Sequence, residues 1–325
     1  MLDFSLQFEL WGQCNNFCDF CYLSSEYLNT SDKTKIENIS SAKNNLKLYF
    51  KDHSEKIKAV GLIGGEFFQG QLNSKVVKDS FFDLCKQIFW YIEQDKVKDF
   101  WCYCTLTIGD QKDLYELIDL FDKSITNKEE HRFWIQVSYD TIGRFNQPGK
   151  FENWDKHMLN LQKYPFININ VTSIMTEDLL NKILFDKIDL YEFQHRYNNT
   201  FFFKPPYKSG KDEINTKEKL NKKIPNFFPK RKTFISFLRF IKKKYPDIFN
   251  NILNIRLRAD YLFNLDGDNI LKHPLVRNKD NWNETAMDEE INLNCPYHHV
   301  TNYQCYCDSD ACCLCDYLKI KDEID

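Results

Sequence analysis

Apolar and polar residues alternate along 2–10 and again along 168–174, the two-residue period of a strand with one sealed face. Shorter β-rich runs cover 57–63, 100–108, 133–139 and 200–204. Between them, apolar residues recur at helical spacing over roughly 34–51, 75–95, 111–123, 152–163 and 177–187. Asp110 and Thr176 stand where N-caps belong. Strand–helix alternation of this kind predicts an α/β fold with parallel strands and helices packed outside. Six such units predict a partial or full barrel, whose functional groups gather at the C-terminal ends of the strands.

Beyond Pro205-Pro206 the pattern changes. The segment 204–244 carries fourteen Lys/Arg against three Asp/Glu, while the whole chain has a net charge of −3. Tyr207, Phe227, Phe228 and Phe234 interleave with these charges and offer rings that could stack on RNA bases. The plainer alternative is a solvated basic face in a chain rich in Lys generally. A helix interrupted at Pro246 follows, then a segment, 255–271, read as two strands around the Asp266-Gly267 turn. The expected organisation is a core at 1–205, a basic helical connector at 206–254 and a hairpin plus cysteine-rich extension at 255–325. No apolar run approaches the ~18 residues needed to span a bilayer, and the first residues do not resemble a secretory signal. A cytoplasmic protein that does not enter the membrane is expected.

Location gives the twelve cysteines their meaning. Reducing compartments disfavour disulfides, so clustered thiols point to metal binding or catalysis. Cys85, Cys102 and Cys104 lie in helix- or strand-like context and read as small buried residues. Cys14, Cys18 and Cys21 form C-x3-C-x2-C directly after the first strand. Three thiolates on one loop can ligate three irons of a [4Fe-4S] cube and leave the fourth open. A zinc site completed by a distant residue is the alternative. Gly64-Gly65-Glu66 ends the second strand, where glycines admit close backbone approach and Glu66 offers a carboxylate to an ammonium group. Ser138 and Asp140 end the fourth strand, and Asn170 and Thr172 share one face of the fifth. Cys295, Cys305, Cys307, Cys312, Cys313 and Cys315, with His298 and His299 among them, form a second cluster near the C-terminus. It reads as an auxiliary iron–sulfur cluster or a zinc site.

The triplet, with Phe20 just before its last cysteine, and the glycine–glutamate motif one strand later resemble the radical S-adenosylmethionine (SAM) superfamily over 1 to about 205. The resemblance implies a partial (β/α)6 TIM-like barrel and a cluster whose open iron chelates SAM. One electron then cleaves SAM to methionine and a 5′-deoxyadenosyl radical, which takes hydrogen from substrate. It implies that Phe20 lies beside the adenine, that Glu66 after Gly64 and Gly65 binds the SAM amino group, and that Ser138 and Asp140 reach the ribose or line the substrate side. An electron donor such as flavodoxin or ferredoxin would supply the reducing equivalent. The family usually has Pro after this motif; here it is Phe67. Val137-Ser138-Tyr139-Asp140 is similar to a segment of peptide-modifying members, with Thr141 where those carry Gly. The C-terminal cysteines resemble a divergent SPASM or twitch extension. A peptide or protein substrate is therefore expected. The rivals are RNA or nucleoside modification and a non-catalytic, zinc-stabilised binding module.

Overall fold

The computed structural model describes residues 2–16, 18, 30–145, 147–204, 227, 229–249 and 262–264. Burial alternates strictly along β4 (Phe133–Ser138) and β5 (Ile167–Ile174): Phe133, Ile135, Val137, Ile169 and Val171 are sealed, and the residues between them are half-buried. The other strands are β1 (Leu2–Trp11), β2 (Ile57–Gly64), β3 (Val97–Cys104), β6 (Asn199–Lys204) and the short β7 (Leu262–Asn264). They form one parallel sheet in the order β6-β5-β4-β3-β2-β1-β7. The outermost strands, β6 and β7, are not paired with each other, so the sheet is open.

That order determines where the helices go. From β1 to β6 each new strand adds on the same side of the last. Right-handed crossovers, the near-universal hand for parallel connections, then place every helix on one face. The helices are α1 (Asp32–Asp52), α2 (Lys75–Glu93), α3 (Lys112–Ser124), α4 (Lys150–Leu161), α5 (Glu177–Leu184), α6 (Leu190–Tyr197) and α7 (Arg231–Lys244). Neighbours touch as that layer requires: α1 packs on α2, α2 on α3, α4 on α6 and α5 on α7. The arrangement is that of a partial barrel, with helices outside and the other sheet face free for polar side chains.

The core lies between sheet and helices and is dense in aromatics. Phe89 meets Phe100 edge-on at 5.1 Å and Phe121 at 5.1 Å, and Phe121 stacks on Phe166 at 5.6 Å. Cys85, Cys102 and Cys104 are buried in it as expected, and burial raises each thiol pKa. The basic segment contributes to this core as well. Phe234, Phe237, Leu238 and Ile241 of α7 belong to it, and Phe227 is also buried. Phe227 and Phe234 therefore do not form the exposed stacking surface considered for RNA; Tyr207 and Phe228 lie outside the described residues.

Boundaries followed the pattern except at β3. The strand spans Val97–Cys104, where 100–108 was expected. Leu106 adopts φ +57°, a left-handed conformation that ends the strand and turns residues 105–108 into a loop. Helix α6, capped by Asp189 on the amides of Tyr191 and Glu192, was not anticipated. Thr176 caps α5 through Leu179 N as expected. Asp110 lies one residue before the α3 N-cap, Gln111, and accepts from Lys112 N at 2.9 Å. Helix α7 ends at Lys244, just before Pro246. Most of the expected hairpin lies outside the described residues.

Candidate functional site

Loops leave β1, β2, β3 and β4 at one end of the sheet; Cys14, Gly65, Glu66 and Asp140 lie on them, and Gly64 and Ser138 end β2 and β4. The first two loops are bonded backbone to backbone: Gly65 N donates to Trp11 O and Glu66 N to Gln13 O, each at 2.9 Å. Glycine is needed for that approach. A Cβ on Gly64 would lie 2.3 Å from Trp11 O, and one on Gly65 would lie 2.0 Å from Gly12 O. The two glycines thus hold the β2 loop against the cysteine loop. Phe67, in the usual Pro position, is buried against Trp11, edge to face at 4.8 Å, and against Phe81 at 5.5 Å.

Glu66 is buried, with 2% of its surface exposed. Its carboxylate accepts from Phe68 N at 3.1 Å and from Thr105 N at 2.6 Å. Burial pushes its pKa up, against those hydrogen bonds and the charge of Arg144. It therefore ties the β2 loop to the β3 loop, whatever further group it meets.

Gln69 plays the same part for the cysteine loop. Its Oε1 accepts from Asn15 N at 2.9 Å, its backbone O accepts from Asn15 Nδ2 at 3.0 Å, and its Nε2 donates to Thr105 and Thr107 Oγ1, each at 3.2 Å. Thr107 in turn donates to Asn16 Oδ1 at 2.8 Å. Cys14 Sγ lies 3.9 Å from Gln69 Oε1 and 3.5 Å from Asn16 N. Gln69 was not singled out beforehand; its only trace was a polar Gln-Gly-Gln following Phe67-Phe68.

Asp140 and Arg144 form a nearly sealed pair. Arg144 donates from Nε to Asp140 Oδ2 at 2.7 Å and from its backbone N to Asp140 Oδ1 at 3.2 Å. Burial raises the Asp140 pKa, and Arg144 opposes that rise. Burial also works against the Arg144 charge, but negative charge at Cys18, Asp140 and Cys14 holds its pKa above the ordinary guanidinium range. One cation thus interacts electrostatically with both Cys14 and Cys18. Arg144 was not anticipated; a basic residue four positions after a strand-end Asp was its only trace. Ser138, the last residue of β4, is half-buried and in register with Thr172.

Cys14 and Cys18 are two of the three thiols that a thiolate-held metal group would use here. Cys14 and Cys18 are partly exposed at the strand ends. Gln13 Oε1 and Asn16 Nδ2 beside them are buried polar atoms without a partner among the described residues. No group of three or more His, Cys, Asp or Glu capable of holding a metal occurs among the described residues. Cys21 and Phe20 lie outside those residues, as do Cys295, Cys305, Cys307, Cys312, Cys313 and Cys315. Neither the models of known protein families nor the curated proteins include a match to this chain.

Proposed function

We propose that this protein is a radical SAM enzyme whose Cys14, Cys18 and Cys21 hold a [4Fe-4S] cluster. The supporting observation is the locked set of loops: Cys14 and Cys18 stand at the C-terminal end of β1, beside the Arg144 cation, on a loop bonded to Gly65 and Glu66. When bound, the cluster supplies the electron that cleaves SAM. The chain's own residues do the positioning. Gly64 and Gly65 admit the close loop approach, Gln69 orders Asn15 and Asn16, and Arg144 balances thiolate charge. Glu66, Ser138 and Asp140 remain the residues proposed to meet SAM or substrate, with Phe20 beside the adenine.

The substrate is proposed to be a peptide or protein, with flavodoxin or ferredoxin as electron donor. The C-terminal cysteines are proposed to hold a second centre, an auxiliary iron–sulfur cluster or zinc. Metal analysis separates these readings. Anaerobically reconstituted protein is expected to bind iron and sulfide at the triplet. In the Cys14/Cys18/Cys21→Ala variant, about four remaining irons indicate an auxiliary cluster, one zinc a structural site, and no metal removes the second centre. Zinc alone at the triplet would support the binding-module reading instead.

A further inference from the structure

The helix-free face of the sheet carries three rows of residues, most of them half-buried, with Gly61 and Trp101 buried. By register, Gly61, Trp101, Trp134 and Asn168 lie abreast. Tyr103, Gln136, Asn170 and Thr200 form the next row, and Ser138, Thr172 and Phe202 the row above it. The lowest row is built to present rings. A Cβ on Gly61 would lie 2.0 Å from Trp101 Cε2, so glycine alone lets the indole lie flat across β2. Tyr103 meets Trp101 edge to face at 5.5 Å, and Trp134 is fixed by Nε1 donating to Asp99 Oδ2 at 3.1 Å.

Above the rings stand two carboxamides, Gln136 and Asn170, on adjacent strands. Asn170 Oδ1 is sealed from solvent and has no hydrogen-bond partner among the described residues. Such an atom marks a place where a bound group completes the bond. Glu9 extends the face on β1, abreast of Ile63. In the three rows, no Lys or Arg is found among the described residues. The three rows thus suit a neutral planar group with both donors and acceptors, and the lysine nearest by register, Lys204 abreast of Ile174, lies one row above them.

We infer that this face takes an aromatic side chain of a peptide substrate, its ring against Trp101 and Trp134 and its backbone amides on Gln136 and Asn170. The inference rests on the proposed function, because β4 leads from Gln136 and Ser138 to Asp140 and so to Arg144 beside the cysteines. Carboxamides match the donor–acceptor pair of a peptide amide, and edge-to-face or offset ring contacts add selectivity for aromatics over aliphatics of similar size.

The test is equilibrium binding to the full chain, reconstituted anaerobically and without SAM, of three probes: acetyl-Gly-Trp-Gly-amide, acetyl-Gly-Leu-Gly-amide and adenosine monophosphate. The Trp peptide is expected to bind about tenfold more tightly than the Leu peptide, with the nucleotide weakest. Gln136→Leu with Asn170→Leu should weaken the Trp peptide about tenfold. Gly61→Ala should displace Trp101 and weaken it too; because that variant risks misfolding, the double variant decides. Equal binding of the two peptides, preference for the nucleotide, or an unchanged constant in the folded double variant overturns the inference. SAM cleavage by the same preparation is scored separately. Cleavage without aromatic preference overturns this inference alone, and aromatic preference without cleavage overturns only the proposed function.

Discussion

Arg144 is the residue on which the candidate site turns, because it is the cation shared by Asp140, Cys14 and Cys18. Removing one partner of a buried ion pair strands the other, at a cost of about 3–5 kcal/mol. Arg144→Met should lower stability by that order in denaturant unfolding. Adding Asp140→Asn should recover much of the loss, whereas additive losses would show that the two residues are not coupled. Glu66 yields a pH prediction. Burial raises its folded-state pKa above the ordinary 4.5. Its contribution is fully present below that ordinary value and is lost as pH rises through the raised folded-state value. Unfolding midpoints taken from about pH 4 to about 8 should therefore fall less steeply in Glu66→Gln than in the native protein. Parallel curves would contradict the burial argument. Glu66 and Asp140 were legible because strand ends followed by acids are recognisable in sequence. Arg144 and Gln69 were not, because their partners come together only when separate loops fold over the strand ends.

Among the elements, β4 and β5 were legible because one face is sealed and the other is not, which writes a two-residue period directly into the chain. β3 was harder. Thr105, Leu106 and Thr107 beyond its end are buried like Asp99–Cys102 within it, which hid the turn at Leu106. The glycines after β2 were legible as a close approach, but what they approach is the backbone of the cysteine loop. Gly65→Ala places a methyl 2.0 Å from Gly12 O and 2.4 Å from Gln13 O, distances that backbone must move to relieve. The variant should keep its sheet, seen in circular dichroism, yet retain less iron per chain after reconstitution. Full iron retention would show that the two loops need not lie so close.

At the scale of the whole molecule, alternation of strands and helices foretold a parallel α/β fold, and the sheet left open between β6 and β7 agrees with the expected partial barrel. Edge pairing depends on residues far apart in sequence, and no local period encodes it. Nor did the charge of the basic segment reveal that Phe234, Phe237, Leu238 and Ile241 of α7 join the core. No helix among the described residues is long and apolar enough to cross a membrane. One consequence of the singly wound order bears on function. Every connecting helix lies on one face, so four loops converge at the strand ends. The most direct test is the yield of 5′-deoxyadenosine from SAM under reducing, anaerobic conditions, compared between the reconstituted protein and its Cys14/Cys18/Cys21→Ala variant. The account predicts 5′-deoxyadenosine and methionine from the native chain and none from the variant. Equal yields from both, or none from a native chain carrying a full complement of iron and sulfide, would contradict it.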